Sequence, residues 1–269
     1  MTERRYNITE LTPYIDWVYF LHAWEMPPKA DEAKALMDDG RQMLREMDGE
    51  MNIVARVGLF DACSQGDDIM LTTGEGTEVR IPCLRQQHPA DGKPNLCLAD
   101  FVRPEQQEHK DTVGVFATTV GLPPATDQYR SLLCQTLCDR LAEAAACRLH
   151  EEVRKVIWGY AANEQLSISE MLREKNVGIR PAVGYPSLPD QSINFLLARL
   201  IGMDEMGITI TENGAMKPHA TVSGLMIAHP KAHYFTVGRI DRHQLEDYAS
   251  RRGLPAERMM QFLQGNYTE

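Results

Sequence analysis

The order of helix and strand patterns along this chain restricts its fold more than any other property. Short runs with the alternation typical of β-strands lie on both sides of a long segment whose apolar residues recur at helical spacing. The strand candidates are residues 55–60, 67–73, 77–84, 96–102 and 112–120 before that segment, and 207–211, 220–229 and 233–240 after it. The regular alternation of a doubly wound parallel sheet does not occur in this order. The pattern therefore predicts an α+β fold with a twisted, mostly antiparallel β-sheet flanked by helices.

The central helix is predicted from about Gln128 to Val156, because Leu133, Leu137 and Leu141 form an apolar stripe. Further helices are predicted at 28–50, 167–175, 192–200, 241–253 and 255–264. The "GEG" at 74–76 indicates a hairpin between two of the strands. Neither an internal repeat nor a Gly/Ser linker divides the chain, and 43% hydrophobic residues suffice for a packed core. We expect one domain spanning residues 1–269.

The charge and the cysteines exclude several classes of function. A net charge of −10 argues against nucleic acid as a partner, since phosphate binding needs clustered Lys and Arg. The apolar run "WVYFLHAW" is too short for a bilayer and has no cleavage site after it, so we expect a cytoplasmic protein without membrane attachment. Six cysteines without CxxC spacing are expected to be reduced thiols, and Cys134 and Cys138 to serve packing rather than a metal site.

No catalytic signature of a familiar type occurs in the sequence. There is no GxxxxGK[ST], GxGxxG after a strand, GxSxG or HExxH, so nucleotide-hydrolase, dehydrogenase, esterase and zinc-peptidase functions lack support. His219, His229 and His233 lie close together in the C-terminal part, where capping or surface positions are the simpler interpretation. We therefore predict no catalytic residue and no metal ligand.

The stretch "GIRPAVGYPSLPD" at 178–190 has two interpretations. It could be a structural turn with a surface arginine, which composition alone favours. It could also be a rigid main-chain cradle, because Pro181 fixes its own φ and Gly184 lets a ligand approach the backbone. Arg180 would then offer a planar fork for a carboxylate, and Tyr185 an aromatic face with a polar tip.

Three acidic residues are candidates for binding hydroxyls or an ammonium group. Glu143 flanks the apolar stripe of the central helix and Glu174 precedes Arg180 by six residues, although both could equally form ordinary surface ion pairs. Asp16 is the only acid inside "YIDWVYFLHAW". We expect it to be drawn toward the interior, where a carboxylate needs a cationic or hydrogen-bonding partner.

Several separated blocks resemble the activation (reactivation) domain of cobalamin-dependent methionine synthase. They are "YIDW", "VGLF", "GDDI", "LRQQ", "CLADFV", "DRLAEA", "VRKVIWGYAANE", "GIRPAVGYPSLPD", "GITITENGAM", "VSG" and "EDYASRRG". They occur in the family's order and cover nearly the whole chain, and the RxxxGY element is the family's ligand-binding signature. The resemblance implies a single α+β domain that binds S-adenosylmethionine.

The resemblance also implies which residues contact that ligand. Carried over block by block, they are Asp16, Glu143, Glu174, Arg180, Ala182, Gly184, Tyr185 and Tyr234. The ligand has a sulfonium, an ammonium, a carboxylate and ribose hydroxyls, which suits acids, an arginine and close backbone groups. Arg180 is expected to contact the carboxylate or the adenosyl group, and Gly184 to give the ligand clearance.

The implied function is repair of a cobalamin cofactor. In the family, this domain brings S-adenosylmethionine to cob(II)alamin while an electron arrives from flavodoxin or another reductase, and methyl transfer restores methylcobalamin. The cobalamin would come from a cobalamin-binding methionine synthase chain, because no homocysteine, folate or cobalamin module is present here. We expect either a separate subunit of a split enzyme or an excised part of a larger one. A basic patch around Arg251 and Arg252 is the candidate contact for an acidic reductase.

Two alternatives stay open. The chain could be a non-catalytic subunit that senses S-adenosylmethionine or docks to a partner, or it could reactivate another corrinoid methyltransferase.

Overall fold

An antiparallel sheet forms the centre of the fold in a computed structural model that describes residues 1–89, 92–107, 109–121 and 127–267. Within these residues it has six strands: β1 (Thr2–Tyr6), β2 (Ile53–Gln65), β3 (Asp68–Thr72), β4 (Glu78–Pro82), β5 (Asp111–Val120) and β8 (Thr221–Ile227). The order is β4-β3-β2-β5-β8, and β1 pairs with the first half of β2 on the edge that β3 uses further along. A separate hairpin joins β6 (Thr209–Ile210) to β7 (Met216–Lys217).

Both faces of this sheet are buried, as the residues of β2 illustrate. Ile53, Ala55 and Val57 pack with the N-terminal helices and the central helix, whereas Val54 belongs to the apolar cluster on the opposite face. Because successive side chains of a strand point to opposite faces, the alternating run of β2 serves two cores. The α+β prediction with a mostly antiparallel sheet is confirmed.

The helices form layers on the two faces. The first layer contains α1 (Ile8–Leu11), α2 (Trp17–Ala23), α3 (Asp31–Met47) and α4 (Gln128–Glu152). The remaining helices are α5 (Ile168–Met171), α6 (Asn194–Ile201), α7 (Arg242–Arg252) and α8 (Ala256–Phe262). The buried stripe of α4 lies against β5, β2 and β8, and a π-helical turn at Val153–Ile157 continues α4. No helix within the described ranges has the length and apolar character needed to cross a membrane.

Two predicted strands are wrong. Residues 96–102 contain a 3-10 turn at Leu98–Phe101, whose start is held because the Asp100 carboxylate accepts a hydrogen bond from Cys97 N at 2.8 Å. Residues 233–240 form no strand, because the free edge of β8 is already occupied by the proline-containing turn at 178–190. The predicted helix at 167–175 is shorter than expected, since Glu174 has φ +57°.

The predicted basic patch at Arg251 and Arg252 is also wrong. Arg251 pairs with Asp68, and its Nε lies 2.8 Å from Asp247. The Arg252 side chain is 7% exposed and lies 3.3 Å from the buried Asp190. Both positive charges are neutralised within the fold, so they form no basic contact for an acidic reductase.

Candidate functional site

The proline-containing turn at 178–190 is attached to the outer edge of β8. Its main-chain hydrogen bonds join Ile179 to Ile227 in both directions, Leu225 N to Pro181 O, and Val183 N to Ser223 O, all at 2.9–3.0 Å. Through these bonds the sheet fixes the position of Arg180 and its neighbours. The turn is therefore an extension of the sheet edge and not a loose connection between elements.

Gly224 makes this close approach possible. A Cβ built at Gly224 would lie 2.8 Å from Ala182 Cα and would overlap Pro181 O, which is main chain and cannot rotate away. The close approach of the turn therefore requires glycine at the last position of the "VSG" block.

Gly184 closes the second half of the turn. Its φ of +87° is in the left-handed region, which favours glycine, and its N–H donates to Leu188 O at 2.9 Å. Gly184 is absent from the described residues that line the neighbouring cavity. Its geometry explains why glycine is needed there, and its role as ligand clearance stays a prediction.

A cavity of about 420 Å³ lies between the turn, α4, the residues before α2 and the segment at 234–236. Its lining includes seven of the eight residues predicted to contact a ligand: Asp16, Glu143, Glu174, Arg180, Ala182, Tyr185 and Tyr234. These residues come from five separate places in the sequence. The fold therefore brings together nearly the whole predicted set at one concave surface of the size typical for small-molecule sites.

Glu143 lies at the centre of a polar cluster in this cavity. Its Oε1 accepts a hydrogen bond from the Tyr185 hydroxyl at 2.5 Å, and its Oε2 lies 3.6 Å from Arg180 Nη1. The guanidinium of Arg180 also packs over the Phe116 ring, 5.8 Å from its centroid. Burial raises the pKa of Tyr185, and the Glu143 charge raises it further, so this hydroxyl stays a protonated donor at neutral pH.

Burial and ion pairing have opposite effects on the Arg180 pKa. Burial acts to lower it and the nearby Glu143 acts to raise it, with a net increase, so the guanidinium remains charged. The backbone N–H of Arg180 donates to the Tyr234 hydroxyl at 2.9 Å. Burial raises the pKa of Tyr234, although Arg180 opposes this, and the tyrosine holds the start of the turn in place.

Asp16 is half-buried and caps α2. Its Oδ1 accepts hydrogen bonds from Val18 N at 2.9 Å and Tyr19 N at 3.3 Å. The sequence predicted a cationic or a hydrogen-bonding partner, and backbone amides take this role. Among the described residues no group donates a hydrogen bond to Oδ2.

Glu174 adopts a conformation that is unusual for a residue with a side chain. Its φ of +57° is in the left-handed region, which costs about 1–2 kcal/mol for a non-glycine residue. Burial raises the pKa of Glu174, and the positive charge of Arg180 opposes that increase. A strained residue that lines a cavity is a candidate for a functional side chain, since glycine would remove the strain.

Sequence reasoning missed a row of residues on one face of α4 and its π-helical extension. After Glu143 the row continues with Cys147, His150 and Arg154, all of which line the cavity. Their spacing of four, three and four residues is the helical signal that could have identified them. Burial and two nearby arginines lower the pKa of His150 well below its usual value, so the imidazole is neutral.

Arg154 is a buried part of the cavity wall. It is 1% exposed and makes a two-point contact with Glu164, from 2.7 to 3.1 Å, and its Nη2 lies 3.2 Å from Met171 Sδ. Its charge is compensated inside the protein. The π-helical turn that carries it is a type of distortion often found near functional sites.

The three histidines of the C-terminal part, His219, His229 and His233, have partners within the protein. His219 Nδ1 lies 3.1 Å from Asp139, and the rings of His229 and His233 pack near Phe101. Within the described part of the chain no three His, Cys, Asp or Glu side chains form a group able to hold a metal ion.

Comparison with known proteins gives two findings. A family model described as vitamin B12 dependent methionine synthase, activation domain, matches residues 7–253. A crystal structure of the MetH reactivation domain bound to AdoHcy is 38% identical in sequence, with a TM-score of 0.92, and the match covers 100% of this chain and 90% of that one. The similar structure was therefore solved with an adenosyl amino acid bound.

Proposed function

This chain belongs to the family of vitamin B12-dependent methionine synthase activation domains, and we propose that it binds S-adenosylmethionine in the cavity beside the 178–190 turn. There it would support the reductive methylation of cob(II)alamin to methylcobalamin on a partner chain. The observation that carries the proposal is the convergence of seven predicted contact residues on one cavity. The AdoHcy bound to the similar MetH domain supports the same ligand class, since AdoHcy is S-adenosylmethionine without the transferred methyl group.

The chemistry of the cavity suits this ligand. S-adenosylmethionine carries two positive groups, the sulfonium and the ammonium, and one carboxylate. Three of the lining residues, Asp16, Glu143 and Glu174, are acids, and the exposed Tyr185 and Tyr234 offer aromatic faces near the mouth. Aromatic faces attract cations and can also stack against an adenine ring. A volume of about 420 Å³ is within the range of small-molecule sites, about 300–1,000 Å³.

The proposed contribution of this chain is binding and orientation. Cobalamin held by a partner and reduced by flavodoxin or another reductase would supply the methyl acceptor, and the cavity residues of this chain would hold the methyl donor and release it as S-adenosylhomocysteine after it has lost its methyl group. No proton has to be removed, so a general base among these residues is not required. The residues of the turn and α4 would hold the ligand so that its methyl group faces outward, which lowers the entropic cost of the transfer. We also propose that residues 1–269 act as one domain in the cytoplasm.

Two measurements test the function. Isothermal titration is expected to show that the chain alone binds S-adenosylmethionine, and the chain alone is expected to produce no S-adenosylhomocysteine. Absence of binding at millimolar ligand would contradict the proposal. Adding a cob(II)alamin-loaded methionine synthase partner and a reductant is then expected to produce the absorption spectrum of methylcobalamin.

The same assay separates the alternatives. Binding without methylcobalamin formation would identify a sensing or docking subunit. Methylation only with a different corrinoid protein would identify another partner. The cob(II)alamin-loaded partner with reductant and S-adenosylmethionine, but without this protein, is the control for spontaneous methylation.

Replacing Glu174 with glycine is expected to separate ligand binding from stability. Glycine removes the left-handed strain of about 1 kcal/mol but gains freedom in the unfolded chain, so the free energy of unfolding should change by less than about 1 kcal/mol. The loss of the carboxylate should weaken S-adenosylmethionine binding about 10-fold. Urea unfolding and isothermal titration measure the two effects.

Lys175→Gly is the matched control, because Lys175 is a neighbouring exposed residue that does not line the cavity and has no positive φ. It is expected to lower stability without affecting the ligand. Unchanged ligand affinity in Glu174→Gly would remove Glu174 from the site.

A further inference from the structure

Three sulfur atoms meet in the core between α3 and α4. Cys134 Sγ lies 3.6 Å from Met47 Sδ and 4.0 Å from Cys138 Sγ. The two cysteines are four residues apart on α4 and therefore lie on one side of that helix, and Met47 is the last residue of α3. All three residues are buried, and none of them lines the ligand cavity. The cluster is therefore separate from the proposed S-adenosylmethionine site.

The thiols of this cluster differ from the other buried thiols in their partners. Cys83 and Cys97 each have a main-chain carbonyl oxygen near the sulfur, at 3.6 and 3.8 Å. Among the described residues, Cys134 and Cys138 have no such oxygen acceptor, and their partners are each other and Met47. A sulfur atom accepts hydrogen bonds only weakly, so a metal ion is a stronger partner for these thiols than the contacts they have.

The distances between the sulfurs suit one three-coordinate ion. Metal–sulfur bonds of about 2.3 Å place three sulfurs that surround an ion in one plane about 4.0 Å apart. The observed separations, 3.6 and 4.0 Å, are close to that value. Met47 can adjust further, because a methionine side chain has three rotatable bonds. The geometry is therefore close to that of a trigonal sulfur site.

The ligand types select a soft monovalent ion. Thiolates and thioethers prefer Cu(I), whereas carboxylate and carbonyl oxygens suit Mg²⁺ and Ca²⁺. A structural zinc site takes four ligands from Cys, His and carboxylates, and within the described ranges no three such side chains form a group that could hold an ion. From the sequence, packing was the prediction for Cys134 and Cys138, since no further His or Cys pair follows them. The third sulfur comes from a methionine on another helix.

The surroundings of Cys134 favour its thiolate. A hydrogen bond from Cys138 lowers the pKa of Cys134 to about 7, against the effect of burial, and the positive charge of Arg130 acts in the same direction as the hydrogen bond. Arg130 lies one turn before Cys134 and pairs on the surface with Glu46, the neighbour of Met47, at 2.5 Å. Two thiolates and one monovalent cation carry a single negative charge, which Arg130 is placed to offset.

We propose that Met47, Cys134 and Cys138 form a binding site for Cu(I) that joins the end of α3 to α4. Binding releases the thiol protons of the two cysteines to solvent and transfers no electron, so it requires only that the thiols are reduced. The inference is independent of the proposed function, because no residue of the cluster lines the ligand cavity.

The test is competition for Cu(I) under anaerobic conditions. The reduced full chain is titrated against the coloured Cu(I) complex of bicinchoninate, whose absorbance falls as the protein withdraws the metal. One Cu(I) is expected to transfer to each chain. Cys138→Ala is expected to weaken Cu(I) binding by at least about 100-fold, since even the loss of groups outside the ligand shell typically costs about 10- to 100-fold.

Cys63→Ala is the matched control, because Cys63 is a more exposed thiol on β2, outside the cluster. It should leave the Cu(I) affinity unchanged. Cu(I) should also raise the unfolding temperature of the unsubstituted chain and of Cys63→Ala, but not that of Cys138→Ala.

Met47→Leu tests the third ligand, because it keeps the volume of the core and removes one sulfur. X-ray absorption of the Cu(I)-loaded protein is expected to show three sulfur neighbours of the metal in the unsubstituted chain and two in Met47→Leu. An unchanged number in Met47→Leu would assign this methionine to packing and overturn the three-residue site. This measurement decides the matter if Cys138→Ala does not fold.

Three results of the titration contradict the proposal. They are no transfer of Cu(I) to the unsubstituted chain, an unchanged affinity in Cys138→Ala, and an equal loss in Cys63→Ala and Cys138→Ala, which would indicate unspecific binding to thiols. None of them affects the proposed function, which isothermal titration with S-adenosylmethionine tests separately.

Discussion

Arg180→Ala is expected to weaken S-adenosylmethionine binding by about 100-fold while the protein remains folded. The substitution removes a side chain that is 17% exposed, pairs with Glu143 and packs over Phe116. A 100-fold loss corresponds to about 2.8 kcal/mol, because Arg180 is lost from the cavity wall together with the ion pair that positions Glu143 there. Isothermal titration measures the affinity, and circular dichroism checks the fold.

The stability of Arg180→Ala should fall by a smaller amount. Glu143 is 25% exposed and still accepts a hydrogen bond from Tyr185, so its charge is neither fully buried nor without a donor. We expect a loss of about 1–2 kcal/mol in the free energy of unfolding. Arg173→Ala is the control, since Arg173 is exposed and, within the described ranges, its side chain forms hydrogen bonds only to Ser169. Unchanged ligand affinity in Arg180→Ala would mean that the 178–190 turn is structural and does not contribute to the site.

The periodicity of the sequence predicted the elements that depend on burial alone. The helix α4 and the strands β2, β5 and β8 have apolar patterns set by the two cores they face, and each was found near its predicted position. The run at 233–240 is also rich in aromatic and β-branched residues, but it forms no strand. Whether a run pairs depends on which strand edge is free, and here the turn at 178–190 occupies the edge of β8.

That these residues line one cavity was predictable only through the resemblance to a known family. Composition alone favoured a structural turn at 178–190, because residue types do not show that Glu143 on α4 and Tyr234 near the C-terminus meet it. The pairing of charges was not predictable either. Arg140, Arg154 and Arg180 are the same residue type, and only their contacts distinguish them: Arg154 and Arg180 have carboxylate partners, whereas the buried Nε of Arg140 has no hydrogen-bond partner among the residues that the structure describes.

Gly224→Ala is expected to detach the 178–190 turn from β8 and to abolish ligand binding. The new methyl group would lie 2.8 Å from Ala182 Cα and 3.0 Å from the Phe116 ring, and it would overlap Pro181 O. Two hydrogen bonds between the turn and β8, from Leu225 N and Val183 N, would have to lengthen or break. Overpacking typically costs about 1–3 kcal/mol and each lost hydrogen bond about 1 kcal/mol, so the free energy of unfolding should fall by about 3 kcal/mol or more.

The loss of binding free energy for S-adenosylmethionine should exceed the loss of free energy of unfolding. Arg180 directly precedes the Pro181–Ala182 contact with Gly224, so a shift of the turn moves Arg180 away from Glu143 and Tyr234. Gly74→Ala is the matched control, because Gly74 has no positive φ and no atom of the described residues that could hinder a side chain lies within 4 Å of a Cβ built there. If Gly224→Ala unfolds at the same urea concentration as Gly74→Ala and still binds S-adenosylmethionine, the turn is not positioned by β8. Loss of binding in a folded Gly224→Ala protein would instead show that the sheet edge sets the geometry of the ligand site.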